Sequence, residues 1–412
     1  MCRRATGRRG GVSAERSKLW WEFKWRLSPE SRYAAGGLVA RSSFRTLHSA
    51  LETALFLYSF WDERLGQLAF EFNYRQVESV LTVNSEMSNS HDNHYVPQMH
   101  LKRFAMPGSP RKIVVYDKEW KTEAGDKSLK GQAYERDLYT MNPGEPDENT
   151  VIEDGILKQI DNDASVALDK LLGGILDSRG RTTLAFYISS LIMRNPKFIE
   201  KRRQDMSREG VEIYRRIYLY DPEFKNSLRQ KFSTDEEFQE AWKASAPEHV
   251  TITGNKTAAM AISVHIIEKI AEEIFKLPWT ILSASSDDRF IIADDPVFCC
   301  NPIAKARSPV GLLTRGAETI LPISSNACLV IAATGSDAYK LQVATSWQVN
   351  EINTRSAYTA TRRFFGSAIN ADWSKLMERF DKWDGKVDFY QAPNLDVSIQ
   401  AVDNHLFRPL FA

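Results

Sequence analysis

The middle of the chain carries hydrophobic residues at the spacing of amphipathic helices. From residue 151 onward apolar positions recur every three or four residues, and Gly173 and Gly174 close the run. This spacing predicts a helix whose apolar positions are Ile152, Ile156, Ile160, Ala164, Ala167, Leu171 and Ile175. A second helix is predicted from Thr183 to Arg194, because Pro196 removes a helical hydrogen bond and forces a kink or a new start.

Helical periodicity continues beyond this proline as far as Leu277. We predict helices around Gly210–Tyr218, from a capping box formed by Ser233 and Glu236, and over Thr257–Leu277. Asn255 precedes the last helix and is interpreted as its cap. These segments together predict a helical middle.

Runs typical of strands flank the helical middle on both sides. Lys112–Asp117 predicts a strand in a short N-terminal β unit. After Leu277, residues 278–282 and 289–293 flank a polar turn, so we interpret them as a hairpin that presents Asp294 at its exit.

The C-terminal part adds strands over residues 320–324 and 328–331 and a helix from about Val349 to Arg363. The predicted fold class is therefore α+β, with a helical middle, a short N-terminal β unit and a C-terminal strand-rich unit. We expect the two β units to meet in space, because the polar residues at their ends would then converge.

Composition and charge narrow the class of protein. The net charge of +1 gives no overall attraction to nucleic acid or anionic lipid, although a local basic patch is compatible with it. The four cysteines, Cys2, Cys299, Cys300 and Cys328, form no CxxC pair, which favours free thiols in a reducing cytosol. No apolar run approaches the ~18 residues of a membrane helix. We expect a soluble, cytoplasmic protein.

The first 86 residues differ in composition from the rest. They contain 11 Arg and only 2 Lys, whereas the remainder uses the two residues almost equally. We predict that residues 1–86 are an extension from a start codon placed too far upstream, and that residues 87–412 form a single domain starting at Met87. A cationic arm that contacts nucleic acid or membrane, and a transit-like extension, remain the alternatives.

A short motif around a proline is the most informative stretch. His94-Tyr95-Val96-Pro97-Gln98 leads into Leu101, Lys102, Arg103 and Phe104. Pro97 fits the first position of a helix, because its missing N–H would be unpaired there anyway. Pro97, Leu101 and Phe104 then share the inward face, and His94 lies at the mouth of the turn.

This motif resembles the opening of a bacterial family known as domain of unknown function 4238. Similar blocks follow in the family order: an aliphatic strand ending in Tyr116-Asp117, the run Glu135–Thr140, an Arg close to Pro196, and an aliphatic strand leading into Asp294. The resemblance covers roughly residues 91–367. Ala293 and Asp295 depart from the family's Ser-Asp-Asn pattern, which leaves Asp294 as the acidic position carried over.

Four residues of these blocks are the candidate site: His94, Asp137, Arg194 and Asp294. Asp117 and Glu153 also occupy element ends, where turn or helix-capping roles are the plain alternatives. His94 and His100 raise the question of a divalent metal, since imidazoles are common ligands. Six residues of one helix separate them by about 120°, so they converge only if Pro97 breaks the path.

Two functions are compatible with these residues. The first is a hydrolase of phosphodiester bonds in nucleic acid, with His94 as base or metal ligand, Asp294 and Asp137 as acidic partners and Arg194 as phosphate clamp. The second is a non-catalytic binding or sensing protein, in which the same groups form a buried polar lock and the helical surface contacts a protein or a nucleic acid. Exposure discriminates them, because catalysis requires an open pocket and a lock requires buried, paired side chains.

Overall fold

The computed structural model of the protein describes residues 24–27, 91–120, 122–140, 150, 152–285, 287–304, 308–332, 339–369, 376, 388–392, 395–402 and 406–411. Its helices are α1 (Gln98–Leu101), α2 (Lys158–Leu172), α3 (Ser178–Met193), α4 (Pro196–Tyr220), α5 (Pro222–Arg229), α6 (Asp235–Ala244), α7 (Lys256–Lys276) and α8 (Ser346–Thr359). Its strands before α7 are β1 (Lys24–Leu27), β2 (Asp92–His94), β3 (Lys112–Asp117), β4 (Thr122–Ser128), β5 (Tyr134–Arg136) and β6 (Val250–Thr253). The strands after α7 are β7 (Trp279–Ser283), β8 (Ile292–Ala293), β9 (Phe298–Cys300), β10 (Ser308–Val310), β11 (Glu318–Ser324), β12 (Ala327–Ala332), β13 (Lys340–Val343), β14 (Arg363–Gly366), β15 (Asp388–Ala392) and β16 (Leu395–Val402).

The chain forms two compact units. The smaller unit comprises Met1–Val77 and Arg202–Ala259, and the larger comprises Glu78–Lys201 and Met260–Ala412. Strand β1 pairs antiparallel with β6 in the smaller unit. The other residues before position 87 lie outside the described part of the chain, so the boundary at Met87 stays a prediction.

An aromatic cluster lies at the centre of the smaller unit. The rings of Tyr218 and Trp242 stack with centroids 4.2 Å apart, and Tyr214 and Phe224 are buried beside them. Gly254 has no substitute, because a Cβ there would collide with the carbonyl oxygen of a neighbouring helix residue. The unit therefore has its own small hydrophobic core.

The capping box of α6 lies one residue later than predicted. Thr234 accepts from the Glu237 backbone N–H at 3.2 Å, and the Glu237 carboxylate accepts from the Thr234 N–H at 3.2 Å. The predicted pair of Ser233 and Glu236 is therefore wrong. Both registers satisfy the Ser/Thr-x-x-Glu pattern, so local sequence alone does not separate them.

A five-stranded sheet separates two hydrophobic cores in the larger unit. Its strand order is β13-β7-β12-β11-β9, and β11 and β12 form a buried antiparallel hairpin, as the apolar runs predict. Alternate residues face opposite sides. Leu321 and Leu329 contact a core shared with α2, α3 and α7, whereas Ile320 and Val330 belong to the second core.

A four-stranded sheet of order β4-β3-β14-β8 joins the two ends of the family-like region. Strand β3 from the N-terminal β unit pairs antiparallel with β14 from the C-terminal unit, with Tyr116 opposite Phe364. Their rings stack with centroids 4.9 Å apart. The expected meeting of the two β units is confirmed, and so is the α+β class with a helical middle.

The helices around Pro196 agree with the pattern. Helix α3 ends at Met193 and α4 begins at Pro196, as the predicted restart requires. Helix α2 ends before Gly173, and a π-helical turn over Ile152–Leu157 precedes it. No helix among the described residues is long and apolar enough to cross a membrane.

The predicted hairpin of residues 278–293 is wrong. Strand β7 pairs with β12 and β13, whereas β8 pairs with β14 in the other sheet. The backbone between them bonds to a side chain: Asn353 accepts from the Ile291 N–H at 3.0 Å and donates to the Arg289 carbonyl at 2.9 Å. The apolar run therefore crosses from one sheet to the other instead of folding back on β7.

Candidate functional site

Asp294 lies directly after β8 and binds the backbone that leads into β14. Its carboxylate accepts hydrogen bonds from the N–H groups of Thr361, Arg362 and Arg363 at 2.7, 2.9 and 2.9 Å. The residue is 4% exposed. Burial raises the pKa of the carboxyl, while the three N–H groups and Lys197 act in the opposite direction. Asp294 thus fixes the loop between α8 and β14.

Asp295 is partly exposed and is held differently. Burial raises the pKa of its carboxyl to about 6, against the nearby positive charge of Lys197, while the negative charge of Asp294 acts with burial. The side chains of Asn195 and Thr359 face the same carboxylate. Because β8 ends at Ala293, the alternation of a strand no longer directs the side chains of Asp294 and Asp295 to opposite faces. The positive charge of Lys197 lowers the pKa of both carboxyl groups.

Lys118 is a second lysine that interacts electrostatically with Asp294. Lys118 donates from Nζ to the carbonyl oxygens of Ala357 and Ala360 at 3.0 and 2.8 Å, where α8 ends. Burial lowers the pKa of Lys118 to about 8; the charge of Lys197 lowers it too, and that of Asp294 opposes both. A lysine at a helix C-terminus also interacts favourably with the helix dipole.

Tyr95 of the N-terminal motif lies within electrostatic range of Asp294. Burial raises the pKa of its phenol, and the charge of Asp294 is the next largest cause. We use the name Asp294 site for the group of Tyr95, Lys118, Lys197, Asp294 and Asp295.

Asp117 also binds the segment that leads from α8 into β14. Its carboxylate accepts from Nε of Arg362 and of Arg363, both at 3.0 Å. Burial works to raise the pKa of Asp117, but the bonds from Arg363, the Trp120 N–H and Arg362 hold it below its usual value. Arg362 and Arg363 therefore bond through their main chain to Asp294 and through their side chains to Asp117.

His94 and Asp137 have hydrogen-bond partners outside the Asp294 site. His94 Nε2 lies 3.2 Å from the Lys130 carbonyl oxygen and 3.2 Å from Gln98 Nε2, and the tautomer decides which of them it bonds. Burial lowers the pKa of His94. Asp137 lies 2.6 Å from His91 Nδ1. The charge of Asp294 acts instead on Tyr95, the residue after His94.

Arg194 is 3% exposed and makes a two-pronged ion pair. Its Nη1 and Nη2 donate to the two carboxylate oxygens of Asp161 at 3.1 and 2.7 Å, and Nη2 also donates to Ser190 Oγ at 2.6 Å. The backbone carbonyl of Arg194 accepts from the Tyr139 hydroxyl at 2.7 Å. The guanidinium is therefore already engaged with an acid of α2.

Residues that the sequence reasoning missed are neighbours of those it selected. Tyr95 follows His94, Asn195 and Lys197 follow Arg194, and Asp295 follows Asp294. Neighbouring residues of a strand or a turn face different directions. A family-like block of sequence therefore locates a site only to within a residue or two. The alternation in β2, which ends at His94, was the available signal for Tyr95.

His100 belongs to the core instead of pairing with His94. It is fully buried, with Nδ1 2.7 Å from the Tyr187 hydroxyl and Nε2 2.8 Å from the Pro322 carbonyl oxygen. Both ring nitrogens thus have partners in the protein. Within the described ranges, no group of three or more His, Cys, Asp or Glu side chains is arranged to hold a metal ion.

The burial of His100 predicts acid sensitivity. Burial lowers its pKa to about 4 from an ordinary 6.5, so the unfolded chain takes up the proton first as the pH falls. Stability should therefore fall between about pH 6.5 and pH 4, by roughly 3 kcal/mol at most. Urea unfolding of the wild type and of His100→Asn across this range measures the effect, and the stability difference between them should shrink on acidification.

The wild type must be compared with His100→Asn because Glu153 and Asp295 titrate in the same pH range and change the stability in the opposite direction. Burial raises their pKa values to about 7 and about 6, so they stabilise the fold as the pH falls. Tyr187→Phe, which keeps the imidazole, is the control and should retain the acid loss. Equal pH dependence of wild type and His100→Asn would contradict the prediction.

Comparison with the curated proteins and with the solved structures gives no match. A family model described as "Protein of unknown function (DUF4238)" matches residues 92–368. The match includes β2, every residue of the Asp294 site, and the Arg194–Asp161 pair. It also covers well over half of the chain, and this protein therefore belongs to the DUF4238 family.

Proposed function

We propose that this protein acts by binding a partner and not by catalysis, and that the polar residues of its family blocks form a structural lock. The supporting observation is Asp294, which accepts three backbone N–H groups while being 4% exposed. A carboxylate in that state has little hydrogen-bonding capacity left for a substrate. Its bonds instead hold the loop that joins α8 to β14.

Arg194 supports the same proposal. A phosphate clamp needs guanidinium donors that reach an incoming anion, whereas the side chain of Arg194 is 2% exposed and its donors face Asp161 and Ser190. Such a pair orients α2 against the end of α3, because Asp161 lies in α2 and Arg194 directly follows α3. Ion pairing is thus the role that the contacts favour.

The partner that we propose is nucleic acid, bound through its phosphates. Helix α4 presents Arg208, Arg215 and Arg216 with side chains 70, 56 and 62% exposed. Arg208 and Arg215 are seven residues apart and share one face. Each arginine pairs with an acid of the same helix. The pairs of Arg215 and Arg216 with Glu212 are exposed on both sides, and such pairs contribute little and exchange readily for phosphate contacts.

One observation favours the phosphodiester hydrolase as a second candidate. Asp295 is partly exposed, and burial raises its pKa to about 6, so it changes protonation close to neutral pH. A carboxyl of this kind suits general acid–base catalysis, and Lys197 beside it suits the charge of a phosphate. The hydrolase would then centre on Asp295 and not on His94.

A single set of assays separates these candidates. Labelled single- and double-stranded DNA and RNA are titrated with protein, with and without Mg²⁺ or Mn²⁺, and followed by anisotropy and on gels. We expect binding that weakens with salt and leaves the strands uncut. Changing Arg208, Arg215 and Arg216 together to Gln should reduce the slope of log K against log salt by about 3, roughly one per arginine.

The matched control removes three charges elsewhere, by changing the exposed Arg111, Lys127 and Lys130 to Gln. It should keep the wild-type slope. Metal-dependent cleavage that is lost in Asp295→Asn, but retained in Glu119→Gln and in His94→Ala, would replace the binding proposal with the hydrolase. Absence of binding at low salt would contradict nucleic acid as the partner.

We also propose a reducing, cytoplasmic location. The three cysteines of the described chain, Cys299, Cys300 and Cys328, are unpaired. Burial raises the pKa of the Cys299 thiol to about 11, so the thiol stays protonated and is unreactive. Free buried thiols are typical of proteins that remain in the reducing cytosol.

A further inference from the structure

A short segment near the end of the sequence, outside the helices and strands, lies in a groove of the larger unit. In Leu406–Phe411, the side chains of Phe407 and Leu410 are each 3% exposed, whereas Arg408 and Pro409 between them face solvent. The segment thus inserts two apolar anchors three residues apart. Residues 403–405 before it lie outside the described part of the chain.

Side chains of the groove bind the main chain of this segment at Arg408. Its N–H donates to Glu351 Oε1 at 3.0 Å, and its carbonyl oxygen accepts from Arg355 Nη2 at 2.6 Å. Both hydrogen-bonding groups of this peptide unit are therefore recognised by side chains. The side chain of Arg408 plays no part in these two bonds.

The same arrangement recurs two residues later. The Leu410 N–H donates to the two carboxylate oxygens of Glu318 at 2.9 and 3.2 Å, and its carbonyl oxygen accepts from Gln348 Nε2 at 2.9 Å. Pro409 between the two sites has no N–H to satisfy. The groove thus binds the main chain of two alternate residues, Arg408 and Leu410.

An aromatic pocket receives the first anchor. The Phe407 ring lies edge-on to the rings of Phe298 and Tyr358, with centroids 5.4 and 5.0 Å away, and the guanidinium carbon of Arg355 lies 5.9 Å from its centroid. These geometries are the favourable ones for aromatic pairs and for a cation over a ring. The pocket therefore selects an aromatic side chain.

Buried charges hold the groove in shape. Arg355 is fully buried and lies 2.8 Å from Glu318 Oε2 and 3.3 Å from Glu351 Oε1. One cation thus orients both carboxylates toward the N–H groups that they accept from. Such preorganised groups reduce the cost of binding a peptide.

We propose that this groove is a binding site for extended peptides of the pattern Phe-x-x-Leu, which the chain's own segment 406–411 occupies. The groove residues, Phe298, Glu318, Gln348, Glu351, Arg355 and Tyr358, all lie inside the region matched by the family model, whereas the occupant lies outside it. Main-chain recognition combined with two anchor pockets is a recurring mode of peptide binding. The groove tolerates any residue at the two middle positions, because these face solvent.

The proposal is tested by emptying the groove. A chain that ends at residue 405 is titrated with a labelled peptide of the sequence of residues 406–412. We expect saturable binding, a thermal midpoint restored by the peptide, and no binding of a peptide with Ala in place of Phe407 and Leu410. The wild-type chain should bind the peptide at least tenfold more weakly, because its own segment competes at high effective concentration.

A second variant keeps the test decisive if the shortened chain does not fold. The full-length chain with Phe407→Ala and Leu410→Ala loses both anchors but keeps every groove residue, and it should also bind the peptide. Adding Gln348→Ala to it should weaken peptide binding about tenfold, as the loss of one hydrogen bond predicts. A folded variant that binds no peptide, or equal binding by wild type, would overturn the proposal.

Discussion

Replacing Asp294 by alanine should lower the thermal midpoint of the protein by roughly 6–12 °C. The substitution removes a carboxylate that is 4% exposed and that accepts hydrogen bonds from three neighbouring N–H groups, those of Thr361, Arg362 and Arg363. A hydrogen bond to a charged group contributes about 1.5–3 kcal/mol, so the loss of three should cost at least ~3 kcal/mol even though water reaches the exposed residues Thr361 and Arg362. Calorimetry or circular dichroism during heating measures the change.

Asp295→Ala is the matched control for this substitution. It removes a carboxylate of the same size one residue away, which interacts with the side chains of Asn195 and Thr359 and not with the three N–H groups that Asp294 accepts from. The bonds to the loop between α8 and β14 stay intact in this variant, so the midpoint should fall clearly less than in Asp294→Ala. Equal losses for the two variants would contradict the distinct role of Asp294.

The sequence predicted elements well where periodicity was local. The helix that precedes Gly173, the restart at Pro196 and the strands on either side of the turn at residues 325–326 all follow from spacing within one element. The hairpin at residues 278–293 failed because its pairing depends on Asn353, which bonds to the Ile291 N–H from 62 residues away. A run that is buried on both faces fits either sheet, and contacts with residues far along the chain, such as Asn353 and β14, decide between them.

The candidate site was predicted as a region and not as a set of side chains. The family blocks place Tyr95 within electrostatic range of Asp294, whereas His94 itself lies beside the Lys130 carbonyl oxygen and Gln98. The partner of Arg194 could not be read from the sequence, because Asp161 lies 33 residues away on another helix. A buried arginine is expected to have a hydrogen-bonded partner, but only the folded structure shows which residue that partner is.

The groove that holds residues 406–411 is a second case in which the sequence did not reveal the partners of buried charges. Glu318 and Glu351 lie in a strand and a helix where a charged side chain breaks the apolar pattern, and each is less than 9% exposed. A buried acid inside such an element is a signal for a buried cation, which Arg355 provides. What the acids recognise besides Arg355 depends on a segment more than 50 residues downstream, so sequence spacing gave no sign of it.

Replacing Asp161 by alanine should destabilise the protein by about 3–5 kcal/mol, because it leaves the guanidinium of Arg194, whose side chain is 2% exposed, without an anion. Arg194→Met should cost less, since Asp161 is 21% exposed and water solvates the remaining carboxylate. The double variant Arg194→Met, Asp161→Leu should recover most of the loss, because a buried ion pair contributes little more than a well-packed apolar pair. Urea unfolding of the four proteins gives the coupling energy between the two residues.

Inorganic phosphate then separates the two roles considered for Arg194. If the guanidinium is a lock, phosphate should leave the midpoints of wild type and Asp161→Ala equally unchanged, because no anion reaches a side chain that is 2% exposed. If it is a phosphate clamp, phosphate should bind the folded state once Asp161 no longer competes, and it should raise the midpoint of Asp161→Ala alone. Sulfate at the same ionic strength and Arg194→Met, Asp161→Ala are the controls, because specific binding requires the guanidinium and general salt effects do not. A rise that disappears with Arg194 would therefore contradict the lock and restore the clamp.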